Sequence, residues 1–145
     1  MAMVTCQIGR EVDVYVAIGR GRALAATLDF DEIDRMRIEI GILELTRNIL
    51  AHAGSGELRL AIVEQDGRRG FEVVAEDHGP GIADVELALR DGYSTTQTLG
   101  AGLPGVRRLM DDFAIETRVG AGTLVRTVKW LGKRRQARTA GGGRS

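Results

Sequence analysis

The sequence predicts an α+β fold in which helices pack on one face of a mixed, mostly antiparallel sheet. Three observations carry this. Short segments with strand period, such as Val4, Cys6 and Ile8, alternate apolar with polar residues. Two longer stretches, one after Asp13 and one after Asp31, repeat their apolar residues with helical spacing. A run of strand-like segments separated by glycine-rich turns then fills most of the second half.

Taken in order, Val4 to Ile8 gives a first short strand. Asp13 can cap a helix whose inner face carries Val14, Ile18, Gly21, Leu24 and Leu28. A second helix runs from near Asp31 to Gly54, with apolar rows Ile33, Met36, Ile40, Leu43 and Ile38, Ile42, Leu45, Ile49. So much apolar surface predicts a helix that is largely buried, stopped by Gly54 and Gly56. Glu57 to Gln65 and Phe71 to Glu76 read as two strands joined through Asp66-Gly67. Ile82 to Asp91 reads as a short helix. Gly92 to Gly102, with Ser94, Thr95, Thr96 and Thr98, reads as a mobile flap. Pro104 suits a first helical position and opens a helix to about Phe113. Ala114 to Val119 and Thr123 to Leu131 are the last strands, joined by Gly120 to Gly122. No internal repeat is present, and residues 1–131 read as a single domain.

The 145 residues, 43% apolar and 28% charged, suit one globular domain. No apolar run approaches the roughly 18 residues that cross a bilayer, and the first ten residues lack signal-peptide character. The expectation is a cytoplasmic protein without a membrane partner. One cysteine and two histidines argue against a disulfide or a structural zinc site. The zero net charge is uneven. Residues 132–145 hold five basic groups and no acid, leaving 15 basic against 20 acidic groups in residues 1–131, a net −5. An acidic body argues against nucleic acid as a partner. The basic tail, rich in Gly, Arg and Ser, reads as disordered.

The chemistry concentrates in three places. Glu44, Asn48 and His52 recur every four residues and so share one helix face. A Glu among apolar residues needs partners or a cavity. Asn48 offers a neutral oxygen suited to Mg²⁺, and Glu44 can orient or deprotonate a hydroxyl. His52 is either a phosphate contact or a partner of the helix dipole, and Arg47 either a phosphate or partner contact or a solvated charge. Asp77 ends a strand before Gly79, Pro80 and Gly81. There it either reads the amino group of a flat ring or forms an ordinary Asp-Gly turn. Gly100 to Gly105 at a helix start is either an anion-binding turn or a flexible loop. No G-x-x-x-x-G-K-[ST] run occurs, and the H-R-D and D-F-G motifs of protein kinases are missing.

The combination Glu44-x-x-x-Asn48-x-x-x-His52, Asp77-x-Gly79-x-Gly81 and Gly100-x-Gly102 resembles the boxes of the GHKL ATP-binding superfamily. Within it, E-L-T-R-N (Glu44 to Asn48), E-D-H-G-P-G-I (Glu76 to Ile82), D-G-Y-S-T (Asp91 to Thr95), L-G-A-G-L-P-G-V-R-R-L-M-D-D-F (Leu99 to Phe113) and V-K-W-L (Val128 to Leu131) resemble the RsbT-type serine/threonine switch kinases of the bacterial stressosome. The resemblance covers roughly residues 4 to 131. It implies a Bergerat-type two-layer sandwich that binds ATP with Mg²⁺. Asn48 would carry the metal and Glu44 would be the base. Asp77 would take the adenine amino group, with Thr123 behind it through a water and Gly79, Gly81 and Ile82 shaping the pocket. Gly100, Gly102 and the hydroxyl-rich flap with Ser94 and Thr95 would close over the phosphates, and Arg47, His52, Leu99, Ala101, Leu103 and Gly105 would complete the nucleotide-binding set. It further implies a STAS-domain protein as the substrate, phosphorylated on serine, on a stressosome scaffold. The kinase would afterwards activate a PP2C-type phosphatase. Two alternatives remain: an anti-sigma factor kinase, and a nucleotide-gated binding module without transfer.

Overall fold

Period-two alternation decides which side of the sheet meets the helices. In the computed structural model, which describes residues 2–90 and 102–132, the strands are β1 (Met3–Ile8), β2 (Gly56–Gln65), β3 (Arg68–Asp77), β4 (Asp112–Arg118) and β5 (Gly122–Trp130). They lie in the order β1-β2-β3-β5-β4, and every neighbouring pair is antiparallel. The sheet is therefore antiparallel throughout rather than mixed, within the expected α+β class. Register sets Cys6 against Leu58, Leu60 against Val73 and Ala75 against Val125, all buried on one face. Charged residues take the opposite face, where Arg59 bridges Glu57 at 2.6 Å and Glu76 at 3.1 Å.

The helices are α1 (Glu11–Ala25), α2 (Glu32–His52), α3 (Val85–Ala88) and α4 (Gly102–Leu109). Asp31 caps α2, its carboxylate accepting from the Asp34 amide at 2.8 Å. One predicted row of α2, Ile38, Ile42, Leu45 and Ile49, is at most 2% exposed and forms the core with β2 and β3. Burying each such side chain contributes roughly 1.5–3 kcal/mol, so packing rather than propensity fixes this helix. The other row corrects the expectation of a largely buried helix. Ile33 and Met36 are more than half exposed, and Ile40 and Leu43 only partly covered. A single sheet face can cover only one stripe of a helix.

Other boundaries shift for physical reasons. Asp13 does not cap α1 from outside but stands in its first turn, where its carboxylate accepts from the Gly9 and Arg10 amides at 2.9 Å. Those two hydrogen bonds hold its carboxyl below the usual range. Gly56 does not end α2; it opens β2, opposite Asp77. The helix expected over Ile82 to Asp91 is the single turn α3, capped by Asp84. The helix expected from Pro104 to Phe113 begins earlier, at Gly102, and stops at Leu109. Pairing with β5 ends it: Asp111 accepts from the Trp130 amide and Asp112 from the Trp130 indole, both at 2.8 Å. Residues 92–101 of the predicted flap and the basic tail from residue 133 onward lie outside the described residues, whereas Gly102 belongs to α4.

Lys129 ties the helices together. It is 5% exposed, and its Nζ donates to the Leu109 carbonyl at the end of α4 at 3.0 Å. Asp111 lies 3.5 Å away and Asp34, in the first turn of α2, 3.6 Å away. Lys129→Met removes the cation and leaves two carboxylates and a helix-end carbonyl behind. Breaking a buried pair costs about 3–5 kcal/mol. Both carboxylates keep some water contact, so the expected loss is nearer about 2–3 kcal/mol, read as a lower urea midpoint at constant slope.

Candidate functional site

Helix spacing builds the first wall. Glu44, Arg47, Asn48 and Ala51 stand at i, i+3, i+4 and i+7 on α2 and all border one cleft of about 730 Å³. That volume lies within the ~300–1,000 Å³ usual for small-molecule sites. Glu44 is 2% exposed, and its Oε1 accepts from the Gly102 amide at 3.3 Å. The start of α4 therefore faces the carboxylate on α2. A helix start presents free N–H groups and positive potential, which favour an anion. Arg47 stands at the mouth, 3.6 Å from Glu11 of α1. His52, the last residue of α2, borders the cleft and is exposed.

The second wall is the end of β3 and the loop after it. Asp77 Oδ1 accepts from the Gly79 amide at 2.9 Å, which fixes the carboxylate at the strand end. Close backbone approach explains the glycines. A Cβ on Gly81, at φ 78°, would lie 2.4 Å from the Arg118 carbonyl oxygen. A Cβ on Gly122, at φ 128°, would lie 2.1 Å from the Asp77 carbonyl oxygen. The β4–β5 hairpin is thus pressed under the Asp77 loop, and Gly120 donates to the Pro80 carbonyl at 2.8 Å. Thr123 faces Asp77 across the sheet and borders the same cleft.

Of the predicted site residues, Glu44, Arg47, Asn48, His52, Asp77, Gly81, Ile82, Gly102, Leu103 and Thr123 converge on this cleft. Gly79 does not border it; its α-carbon lies against the end of α2, where a Cβ would stand 2.7 Å from that of Ala53. Gly105 is buried in α4 and also stays off the cleft wall. Ser94, Thr95, Leu99, Gly100 and Ala101 lie outside the described residues. Several wall residues escaped the sequence reading. Ala51 follows Glu44 by seven residues, so helix spacing would have found it. Leu87 and Ala88 on α3 carry no such signal. Thr117, which does not border the cleft but whose hydroxyl accepts from the Ile82 amide at 2.9 Å, carries none either.

The cleft lining joins groups that can take a flat aromatic head carrying an anionic tail. The acceptor carboxylate of Asp77, the apolar side chains of Ile82, Leu87 and Ala88, and the start of α4 together with Arg47 all border the cleft. Among the described residues, no group of three or more His, Cys, Asp or Glu side chains could hold a metal ion. Asn48 is a lone neutral oxygen donor. This fits Mg²⁺, which keeps several waters and takes further ligands from phosphates.

A family model described as a histidine kinase-like ATPase domain matches residues 12–129. The chain is 44% identical over 125 residues to the serine/threonine-protein kinase RsbT of Bacillus subtilis strain 168, covering 86% of this chain and 94% of that one. The chain belongs to the histidine kinase-like ATPase family, as an RsbT-type serine/threonine-protein kinase. This RsbT-type kinase is also 30% identical over 119 residues to the anti-sigma F factor of Caldanaerobacter subterraneus subsp. tengcongensis, covering 78% of this chain and 82% of that one. Its fold is shared with a solved structure of the RsbU and RsbW domains of a Mycobacterium tuberculosis protein. There the TM-score is 0.59 at 15% identity, over 89% of this chain and 32% of that one. It is shared too with the mycobacterial sensor histidine kinase MprB, at a TM-score of 0.53 and 17% identity, over 88% of this chain and 97% of that one. Among the described residues of the RsbT-type kinase, no helix is long and apolar enough to cross a membrane.

Proposed function

We propose that this kinase binds ATP with Mg²⁺ in the cleft and transfers the γ-phosphoryl group to a serine of a STAS-domain antagonist protein. It then leaves that protein's stressosome scaffold and activates a PP2C-type phosphatase. One observation carries the reading: Glu44, almost fully buried, borders the cleft one turn from Asn48 and faces the start of α4. Ligand binding alone needs no carboxylate there, whereas hydroxyl transfer needs a base.

Each residue then has a defined task. Asp77 accepts from the adenine amino group, and Ile82, Leu87 and Ala88 cover the ring. Leu103 at the start of α4 offers a backbone amide and Arg47 a cation to the phosphates, while the Gly102 N–H holds Glu44. Asn48 holds Mg²⁺, which supplies charge neutralisation on the phosphate oxygens when bound. Glu44 takes the serine proton as the serine oxygen bonds to the γ-phosphorus. The bond from that phosphorus to the bridging oxygen breaks, and ADP leaves with the electron pair. Ser94, Thr95, Leu99, Gly100 and Ala101 would add contacts to the phosphates.

The similarity to anti-sigma F factors favours a second reading, an anti-sigma factor kinase. The higher identity to RsbT, over more of both chains, ranks it second. Affinity measurements separate them. The kinase is expected to bind an unphosphorylated STAS-domain partner and to lose that affinity once ATP and Mg²⁺ have phosphorylated it. A complex that persists after phosphorylation contradicts the partner switch. Tight binding to a sigma factor instead supports the second reading.

A further inference from the structure

Beneath the Asp77 end of the cleft lies a hydroxyl pair. Thr117 on β4 and Thr123 on β5 are directly opposite in the sheet, with their Oγ1 atoms 2.9 Å apart. Thr117 Oγ1 also accepts from the Ile82 amide at 2.9 Å and donates to the Gly122 carbonyl at 3.1 Å. A hydroxyl has one proton and two lone pairs. The Gly122 carbonyl takes that proton, and the Ile82 amide takes one lone pair. Only the second lone pair remains for Thr123, so Thr123 is the donor in the pair. The reverse assignment would leave Thr117 Oγ1 and the Gly122 oxygen, two acceptors, 3.1 Å apart with no proton between them.

This fixes what the cleft offers a ligand. Thr123 borders the cleft, and its proton is already directed at Thr117. Its hydroxyl therefore presents only lone pairs to the cleft. The neighbouring Asp77 carboxylate is likewise an acceptor. We propose that Thr117 is a positioning residue for base selection: it turns Thr123 into an acceptor, so that this end of the cleft takes the 6-amino group of adenine and rejects the 6-oxo group of guanine. Adenine offers two amino hydrogens where guanine offers an oxygen, and acceptor facing acceptor is unfavourable. The inference rests on the nucleotide site proposed above and adds the group that orients it. Ile82 shares the device, because its amide is held by the same hydroxyl while its residue borders the cleft.

The test is the ratio of ATP to GTP affinity, measured on the full chain by competition against a fluorescent nucleotide. Thr117→Val removes the hydroxyl at nearly constant shape and is expected to reduce the ATP preference about tenfold. Thr117→Ser keeps the hydroxyl and is expected to retain the preference. Thr123→Val removes the acceptor itself and is expected to lose preference as Thr117→Val does. If Thr117→Val does not fold, the Ser and Thr123→Val variants still decide the matter. A wild-type preference left intact by Thr117→Val or Thr123→Val overturns the proposal. So does a Ser variant as unselective as the Val variant, since packing rather than the hydroxyl would then be responsible. If the wild-type chain binds neither nucleotide, the nucleotide site itself is wrong, a failure distinct from unaltered selectivity.

Discussion

Glu44→Gln is expected to bind ATP within a few-fold of wild type and to transfer phosphoryl groups about 10²- to 10⁴-fold more slowly. Gln matches Glu in size, and its carbonyl oxygen can still accept from the Gly102 amide that now meets Oε1 at 3.3 Å. Packing at this buried position, 2% exposed, is therefore kept. What disappears is the ability to take a proton from an acceptor hydroxyl. Single-turnover transfer, measured beside nucleotide binding, separates the two. Equal transfer rates would remove Glu44 as the base. Equal losses of binding and transfer would make it a structural anchor of the α2–α4 contact.

Asp77→Asn has its effect on the other side of the split. The Asn oxygen can still accept from the Gly79 amide, now 2.9 Å from Oδ1, so the turn survives. The second carboxylate oxygen becomes an amide donor, which opposes the adenine amino group instead of accepting from it. Losing a hydrogen bond to a charged group costs about 1.5–3 kcal/mol, roughly a ten- to hundredfold weaker affinity for ATP. The turnover of bound ATP should change much less. Unchanged affinity in a titration would place the adenine ring elsewhere in the cleft.

The sequence carried more of the site than of the fold's edges, and the reason is periodicity. Glu44, Asn48 and the following residues announce a helix face by spacing alone, and a helix keeps that face wherever it is packed. Asp77 is legible because the strand pattern stops where the turn residues Gly79, Pro80 and Gly81 begin. Burial is less legible, because it depends on what covers a residue. Ile33 and Met36 have the same pattern as Ile38 and Ile42, yet only one row meets the sheet. The end of α4 was overestimated because Asp111 and Asp112 gain partners on Trp130, a contact across 18 or 19 residues that no local pattern encodes. Thr117 escaped for the same reason. Its importance comes from Ile82, 35 residues away, and from the strand register that sets it against Thr123.

Transfer to a partner serine is the central claim, and one assay addresses it directly. The wild-type chain is incubated with [γ-³²P]ATP, Mg²⁺ and a purified STAS-domain partner, and the labelled residue is located by mass spectrometry. Label on one partner serine, absent when Glu44→Gln replaces the wild type, is the predicted result. ATP bound in the cleft with no label on any STAS-domain partner would contradict a protein-serine kinase acting on such proteins.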